Sequence, residues 1–379
     1  MSKLFKLTSC FAIYISSFSL PPKSRFMYRF MIAIFALFVS INSIMAQDSV
    51  IKIKAEETQK AEKLYNEGVL LYQQQKFQEA ISKFDEALKE KPSLSKAYFN
   101  RGAAKKDLND PTGAVADFTK YIEMDSTNDD MGYFLRAVIK NQQNDLESAL
   151  ADFNKTIERN SKNYKAYYYK GMIEFVNQKY TEAIADYDKA IALKPDFAYA
   201  YNDRAGCKRE LKDLDGALKD YNNAIKYDST VAFFYNNRGS VKRKSLDLEG
   251  AIVDYNKAIS LKADYAIAFN NRGTTKHEMN DYNGAILDFS SAIRLDPKYA
   301  YAYNNRGNSK YKIKQYTGAI ADYDKAIELD PKYSYTFLSR GNAKEMIRDN
   351  KGACSDWDKA GKLGVEAGTV YSKKCSEDN

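Results

Sequence analysis

The sequence predicts an all-α protein built from nine copies of a 34-residue helix–turn–helix unit. Three columns of residues recur at this period. The first is a small residue, followed twelve positions later by an alanine and, four further on, by an aromatic residue. The small column is Gly68, Gly102, Ala137, Gly171, Ala205, Gly239, Gly273, Gly307 and Gly341. The alanines are Ala80, Ala114, Ala149, Ala183, Ala217, Ala251, Ala285, Ala319 and Ala353, and the aromatics are Phe84, Phe118, Phe153, Tyr187, Tyr221, Tyr255, Phe289, Tyr323 and Trp357. Small residues at two fixed places let paired helices approach closely, and the aromatic fills the space beside the crossing.

These columns, on this period, resemble the tetratricopeptide repeat (TPR) family. The units are 61–94, 95–129, 130–163, 164–197, 198–231, 232–265, 266–299, 300–333 and 334–367, called repeats 1 to 9 below. A leader (47–60) precedes them, and a C-terminal cap or tail (368–379) follows. The resemblance implies a right-handed superhelix of antiparallel helix pairs with a concave groove, in which TPR proteins bind peptides or protein segments. A capping helix is expected because a solenoid must cover its last apolar face.

A charged pair recurs inside every repeat. A basic residue precedes the small column in repeats 2 to 9, with an aspartate sixteen positions later. The pairs are Arg101 and Asp117, Arg136 and Asp152, Lys170 and Asp186, Arg204 and Asp220, Arg238 and Asp254, Arg272 and Asp288, Arg306 and Asp322, and Arg340 and Asp356. Repeat 1 reverses both signs with Glu67 and Lys83. This reversal predicts contact across each helix pair, because a pairing one repeat along would set Lys83 against Arg101. Catalytic groups do not normally recur in every repeat, so we interpret the pairs as structural ties.

Polar and aromatic side chains are candidates for contact with a ligand in the groove. They are Tyr199, Asn202, Phe233, Asn236, Asn237, Asn270, Asn271, His277, Tyr301, Asn304 and Asn305. Paired amides can give and accept hydrogen bonds along an extended peptide backbone. They could equally stabilise contacts between neighbouring repeats, and the aromatics are expected mainly as packing between repeats.

The N-terminus has the pattern of a secretory signal peptide. A basic stretch at Met27–Arg29 precedes the apolar run Phe30–Met45, and Ala46-Gln47 is a plausible cleavage site. The Ala-Gln junction resembles signal peptides common among Bacteroidetes proteins. We expect 1–46 to be an N-terminal extension and signal peptide with translation starting at Met27, which places the protein in the periplasm, the envelope or outside the cell. An uncleaved segment anchoring the chain in the membrane is the alternative.

The net charge does not indicate a nucleic-acid protein. The formal charge is +8, but residues 1–46 contribute five basic and no acidic residues, which leaves 53 basic against 50 acidic residues. A nucleic-acid binder would gather a basic excess on its folded part. We expect a protein or peptide partner, with membrane contact only through an uncleaved signal segment.

No motif for catalysis, a metal or a cofactor is evident. His277 is the one histidine, without the second histidine that a zincin helix needs. The Asp125–Asp130 acidic cluster lacks calcium-loop spacing and indicates an enlarged turn. Export into an oxidising compartment favours a disulfide between Cys354 and Cys375, and we expect Cys207 to lie in the core. The sequence therefore predicts a non-catalytic, exported scaffold that binds a protein segment in its groove. The alternative is a structural or spacing component of an envelope assembly that uses its convex face or ends.

Overall fold

The computed structural model describes residues 22–124 and 129–377, and every regular element in these ranges is a helix. Residues 1–21 of the predicted N-terminal extension, 125–128 of the predicted enlarged turn and the last two residues of the tail lie outside the described ranges. The chain divides into two compact units, Met1–Ile139 and Lys140–Asn379.

The first unit contains four complete described helices. They are α1 (Pro22–Gln73), α2 (Phe77–Glu90), α3 (Ser95–Asp107) and α4 (Pro111–Met124). Helix α1 runs through the predicted leader (47–60), which is helical and continuous with the first helix of repeat 1. Helix α5 (Met131–Gln142) contains the boundary between the two units.

The second unit continues the same alternation of first and second helices. Its helices are α6 (Leu146–Arg159), α7 (Tyr164–Val176), α8 (Tyr180–Leu193), α9 (Ala198–Glu210), α10 (Leu214–Tyr227), α11 (Ala232–Lys244), α12 (Leu248–Leu261), α13 (Ala266–Glu278), α14 (Tyr282–Leu295), α15 (Ala300–Lys312), α16 (Tyr316–Leu329), α17 (Ser334–Met346), α18 (Asn350–Lys362) and α19 (Glu366–Glu377). Within this unit each first helix packs against its own second helix and against the second helix of the preceding repeat. This packing of consecutive helix pairs confirms the predicted all-α TPR solenoid class.

The core of each repeat lies at the helix crossing that the residue columns predict. In repeat 7, Ala285 is fully buried and Phe289 is 1% exposed. A Cβ atom at Gly273 would lie 2.9 Å from the Phe289 ring and 3.2 Å from Asp288 Cβ. The absence of a side chain at position 273 therefore sets how closely α13 and α14 approach.

Each helix pair turns through one residue in the left-handed conformation. In repeat 7 this residue is Asn280, with φ of 64°, and Asp281 then caps α14 by accepting a hydrogen bond from Gly284 N. An N-cap side chain satisfies a helix-terminal amide that has no partner inside the helix. The turn and its cap are local, so each hairpin is specified within its own repeat.

An arginine ties three helices together in repeat 7. Arg272 Nε and Nη2 donate to the two oxygens of Asp288 on α14 at 2.9 and 2.6 Å, and Nη1 donates to Asn256 on α12 at 2.7 Å. Lys276 Nζ lies 2.8 Å from Asp288 Oδ2. The Asp288 side chain is 5% exposed, and its two oxygens are held by three donors. The arginine thus closes its own hairpin and links it to the preceding repeat.

Five other repeats contain the same arrangement. Arg101, Arg204, Arg238, Arg306 and Arg340 each bind both oxygens of their own aspartate and one side chain of the preceding second helix. The third contact, which the sequence analysis did not predict, is made with Asp85, Asp188, Asn222, Ser290 and Asp324 respectively.

Two predicted pairs, in repeats 1 and 4, differ from this arrangement. Lys83 lies 3.4 Å from Glu67 in repeat 1, and the two side chains are 32% and 40% exposed. The members of the repeat 3 pair belong to different units: Arg136 donates to Thr119 Oγ1 at 2.9 Å in the first, and Lys140 donates to Asp152 at 2.8 Å in the second. The other exception is repeat 4.

Repeat 4 has a carboxylate where the other repeats from 2 to 9 have a lysine. Lys170 lies 3.0 Å from Asp186, but Glu174 occupies the place of Lys276. Asp186 Oδ2 and Glu174 Oε2 are buried without a hydrogen-bond donor, and Lys179 Nζ lies 3.4 Å from Glu174 Oε2. Burial raises the pKa of Asp186, Lys170 lowers it, and Glu174 raises it further. Repeat 4 is therefore a weak point in the charge pattern.

The C-terminal helix α19 covers the last repeat. A disulfide joins Cys354 on α18 to Cys375 on α19, Val365 is buried before α19, and Tyr371 packs 5.3 Å from the Trp357 ring. Cys207 is a free, buried thiol. Helix α19 thus covers apolar surface at the end of repeat 9, as the cap of a solenoid does.

We expect Arg272→Ala to lower the free energy of unfolding by about 3 kcal/mol, because Asp288 would keep only Lys276 as a buried partner. Chemical denaturation followed by circular dichroism measures the change. The matched control is Lys83→Ala, which removes the basic member of the exposed pair in repeat 1 and should leave the midpoint unchanged. Equal effects of the two substitutions would show that burial does not determine how much a charged pair adds to the free energy of unfolding.

We expect the double substitution Glu174→Lys and Lys179→Asp to stabilise repeat 4 by about 2–4 kcal/mol. It supplies a donor to Asp186 and an N-cap to α8, as Lys276 and Asp281 do in repeat 7. Because the pKa of Asp186 is raised in the folded state, the protonated carboxyl group contributes fully to the free energy of unfolding at low pH. This contribution is lost as the pH rises through that pKa. The double variant should lose this pH dependence.

The matched control is Lys179→Asp alone, which supplies the cap but removes the cation beside Glu174. We expect this single variant to be less stable than the double variant at neutral pH. A double variant no more stable than the parent protein would contradict the assignment of repeat 4 as a weak point.

Candidate functional site

The inner face of the second unit is the surface formed by the first helices α7, α9, α11, α13, α15 and α17. First helices of neighbouring repeats contact one another directly in the pairs α7–α9, α11–α13, α13–α15 and α15–α17. Side-chain hydrogen bonds also link α9 to α11. All eleven sequence-predicted groove residues lie on four of these helices, α9, α11, α13 and α15.

The paired asparagines form a ladder between repeats. Asn237 Nδ2 donates to Asn202 at 3.1 Å, Asn271 to Asn236 at 3.0 Å and Asn305 to Asn270 at 3.1 Å. Thr336 Oγ1 donates to Asn304 at 3.1 Å, which continues the ladder into repeat 9. The ladder therefore hydrogen-bonds to itself.

The first asparagine of each pair is buried. Asn202, Asn236, Asn270 and Asn304 are 4–7% exposed. The oxygens of these four amides accept hydrogen bonds from the next repeat. This arrangement favours the interpretation that they stabilise contacts between repeats over direct contact with a bound segment. Asn237, Asn271 and Asn305 are half-buried, and their nitrogen atoms are used in the same ladder.

Two tyrosines present rings to solvent on the inner face. Tyr199 is 42% exposed and Tyr301 is 53% exposed. Phe233 is half-buried, with its ring 6.0 Å from Tyr199, and Tyr301 lies 4.9 Å from Tyr333. Tyrosine offers apolar area together with a polar end, which suits contact with another protein.

A polar pocket of about 200 Å³ lies on the inner face between repeats 7, 8 and 9. Its lining comprises His277, Asn308, Tyr311, Lys312, Tyr323, Ser339 and Asn342. His277 Nδ1 lies 2.8 Å from Ser309 Oγ, and its pKa is lowered by burial and by Lys312. The sequence analysis identified only His277 in this pocket. A signal for the others was present, because Asn308 and Asn342 share one repeat position, where earlier repeats have Val69, Ala103, Val138, Met172, Gly206, Ser240 and Thr274.

The two pocket asparagines are held in fixed orientations. Trp357 Nε1 donates to Asn342 Oδ1 at 2.9 Å, and Tyr323 OH donates to Asn308 Oδ1 at 2.8 Å. An indole N–H can only donate, so the Asn342 oxygen must face it and the amide nitrogen is left for the pocket. Both amide nitrogens lack a protein acceptor within the described part of the chain.

The pocket contains one cation and several hydrogen-bond donors. Lys312 is exposed, and among described residues no carboxylate forms an ion pair with it. Two amide nitrogens, the Ser339 hydroxyl and the Lys312 ammonium group surround the cavity. This set of groups suits a carboxylate, which accepts several hydrogen bonds at once.

No cluster of three or more His, Cys, Asp or Glu side chains in 22–124 and 129–377 is placed to hold a metal ion. None of the described helices combines the length and apolar character needed to span a membrane.

Family models match much of the chain. Tetratricopeptide repeat models match 61–94, 95–128, 135–196, 177–232 and 300–333, and a TPR repeat model matches 273–314. Together these segments cover more than half of the chain. No curated protein matches at a significant level.

Solved structures share the fold. A tetratricopeptide repeat protein from Parabacteroides merdae aligns with a TM-score of 0.53 and 19% identity, over 64% of this chain and 97% of that one. The C-terminal part of a TPR repeat-containing protein from Cytophaga hutchinsonii aligns with a TM-score of 0.53 and 15% identity, over 64% and 98%. The APC/C hetero-tetramer Cut9-Hcn1 aligns with a TM-score of 0.54 and 16% identity, over 83% and 76%. At these identities the likeness extends to the fold alone.

Proposed function

Because this chain belongs to the tetratricopeptide repeat family, we propose that it is a non-catalytic scaffold that binds an extended protein segment along the inner face of its second unit. Proteins of this family generally mediate protein–protein interaction. The polar pocket at His277, Asn308, Lys312 and Asn342 carries the proposal, because it offers oriented donors and a cation that forms no ion pair with any described residue. The bound segment places an acidic side chain or a terminal carboxylate there.

The rest of the inner face supports an extended ligand. The buried asparagine ladder holds neighbouring first helices together, which fixes the spacing of the groups that remain accessible. Tyr199 and Tyr301 are spaced three repeats apart and can each contact an apolar side chain of the segment. Preorganised aromatic anchors limit the entropy lost on binding.

A selection from random twelve-residue displayed peptides tests this proposal. The full chain should enrich peptides that contain Asp or Glu at one position. A synthetic peptide from the selection should bind Asn308→Asp and Lys312→Ala at least about tenfold more weakly by fluorescence anisotropy, a loss of about 1.4 kcal/mol. Asn308→Asp preserves the size of the side chain and the acceptor for Tyr323, so it changes charge without opening a cavity.

The matched control is Lys332→Ala, which removes an exposed lysine of the turn before α17 and should leave the affinity unchanged. Absence of any enriched peptide would count against an extended segment as the ligand. Unchanged affinity in both pocket variants would show that the peptide binds elsewhere.

We further propose that the protein is exported and that its signal segment is cleaved near Ala46. The basic stretch, the apolar run and the small residue before Gln47 support export, and a disulfide persists best in an oxidising compartment. Mass spectrometry of protein purified from the cell envelope should find an N-terminus at Gln47. Thiol titration after denaturation should find one free cysteine, Cys207. A retained apolar segment, or three free thiols, would contradict the respective part of the proposal.

A further inference from the structure

Asp203 differs from every other member of its column in the asparagine ladder. The second ladder position is Asn237, Asn271 and Asn305 in repeats 6 to 8, whereas repeat 5 has an aspartate there. An amide at this position donates to the preceding repeat, but a carboxylate can only accept. The second ladder residue therefore donates to the preceding repeat in repeats 6 to 8, but in repeat 5 Asp203 accepts from the preceding repeat.

Two neutral donors hold the Asp203 carboxylate. Tyr168 OH on α7 donates to Oδ2 at 2.8 Å, and Asn202 Nδ2 donates to Oδ1 at 2.8 Å. Both contacts require Asp203 to act as an acceptor, which fits the ionised form. The carboxylate is thus fixed in orientation without being neutralised.

The basic residues nearest in the sequence have other partners. Arg204 binds Asp220 and Asp188, Lys208 binds Asp220, and Arg209 binds Glu210. No described cation forms an ion pair with Asp203, and burial raises the pKa of its carboxyl group, whereas its two hydrogen bonds lower it. The Asp203 carboxylate is thus partly removed from water without a paired cation among the described residues. This arrangement is uncommon, because buried charges are normally paired.

Open space lies beside Asp203 on the same helix face. Gly206 follows three residues later, and a Cβ atom built there would meet only the Phe175 ring, at 3.8 Å. Later repeats have Ser240, Thr274, Asn308 and Asn342 at this position. Residues three apart on a helix are neighbours, so the missing side chain leaves room next to the carboxylate.

Aromatic residues accompany Asp203, since Tyr168 donates to its carboxylate and Tyr199 lies four residues before it on α9. The Tyr168 ring lies 4.8 Å from Phe197, the Phe197 ring lies 6.4 Å from Tyr199, and Tyr199 is exposed. Ring faces attract an ammonium or guanidinium group within about 6 Å of the ring centroid. A carboxylate beside aromatic rings is the chemistry that recognises a basic side chain.

We propose that Asp203, the gap at Gly206 and the rings of Tyr168, Phe175 and Tyr199 form a site for a lysine or arginine side chain of the bound protein segment. This inference rests on the proposed function and adds a second anchor of opposite charge to the polar pocket of repeats 7 to 9. The segment would present a basic residue to repeats 4 and 5 and an acidic group to repeats 7 to 9. Opposite charges at the two positions also fix the direction in which the segment lies.

Parallel selections from the random twelve-residue display library test this site. The full chain should enrich peptides with Lys or Arg at one position, and Asp203→Asn should enrich peptides without that preference. The substitution restores the residue of the other ladder positions, so the variant is expected to fold. By anisotropy, a selected peptide should bind this variant at least about tenfold more weakly.

A second variant tests the space rather than the charge. Gly206→Met fills the gap and replaces a helical glycine by a better helix former, and a circular dichroism spectrum like that of the parent protein shows that the variant folds. It should weaken the same peptide by a similar factor, whereas replacing the basic residue of the peptide by norleucine should abolish the difference between the parent protein and Asp203→Asn. The control Asp264→Asn removes an exposed aspartate in the turn before α13 and should bind like the parent protein.

The outcomes separate the two proposals. Enrichment of acidic peptides with no basic preference would overturn the Asp203 site and leave the proposed function intact. A basic preference that persists in Asp203→Asn would also overturn it. Failure of both chains to enrich any peptide would overturn the proposed function itself, and the Asp203 site with it.

Discussion

The packing of neighbouring helix pairs depends on the guanidinium group near the middle of the first helix, which every repeat except 1 and 4 contains. Arginine has a planar fork of five donors, so one side chain can bind both oxygens of an aspartate and still reach a third helix. Arg272 does this, and the same contacts recur in five other repeats. The donors of Lys170 all lie on one nitrogen atom, and among the described residues this nitrogen contacts Asp186 alone. The spread of donors over several nitrogen atoms therefore determines whether the side chain links its repeat to the one before it or only closes its own hairpin.

The inner face follows from these links. Because the first helices are held at a constant spacing, the second asparagine of each pair reaches the first asparagine of the preceding repeat. The ladder residues therefore hydrogen-bond to one another, and the first asparagine of each pair is buried. The ladder then uses many of its own groups for contacts between repeats. Asp203 and Gly206 differ from their columns in repeat 5, and Asn308 and Asn342 differ in repeats 8 and 9. In the proposed function these departures from the repeat, rather than the repeated residues, select the ligand.

The sequence alone predicts the frame well and the site only in part. Small, alanine and aromatic columns identify the helix crossings because a glycine such as Gly273 and a ring such as Phe289 must meet in every repeat. The reversed signs of Glu67 and Lys83 predict which helices the charged pairs join. The third contact of each arginine is not predicted, since its partner varies among aspartate, asparagine and serine. The pocket asparagines were also missed, because their orientation depends on Trp357 and Tyr323 from other helices. The burial of Asn236 and its equivalents depends on the helix spacing, which no single repeat encodes.

The disulfide between α18 and α19 has a consequence for how the second unit comes apart. In a linear stack each helix pair touches only its neighbours, so thermal opening begins at the ends, where one neighbour is missing. A covalent loop between positions 354 and 375 prevents the last helix from peeling away by itself. Fraying of this end then requires repeat 9 and α19 to open together. This end of the second unit is therefore harder to open than the end of a stack without a covalent link, and reduction of the disulfide removes the difference.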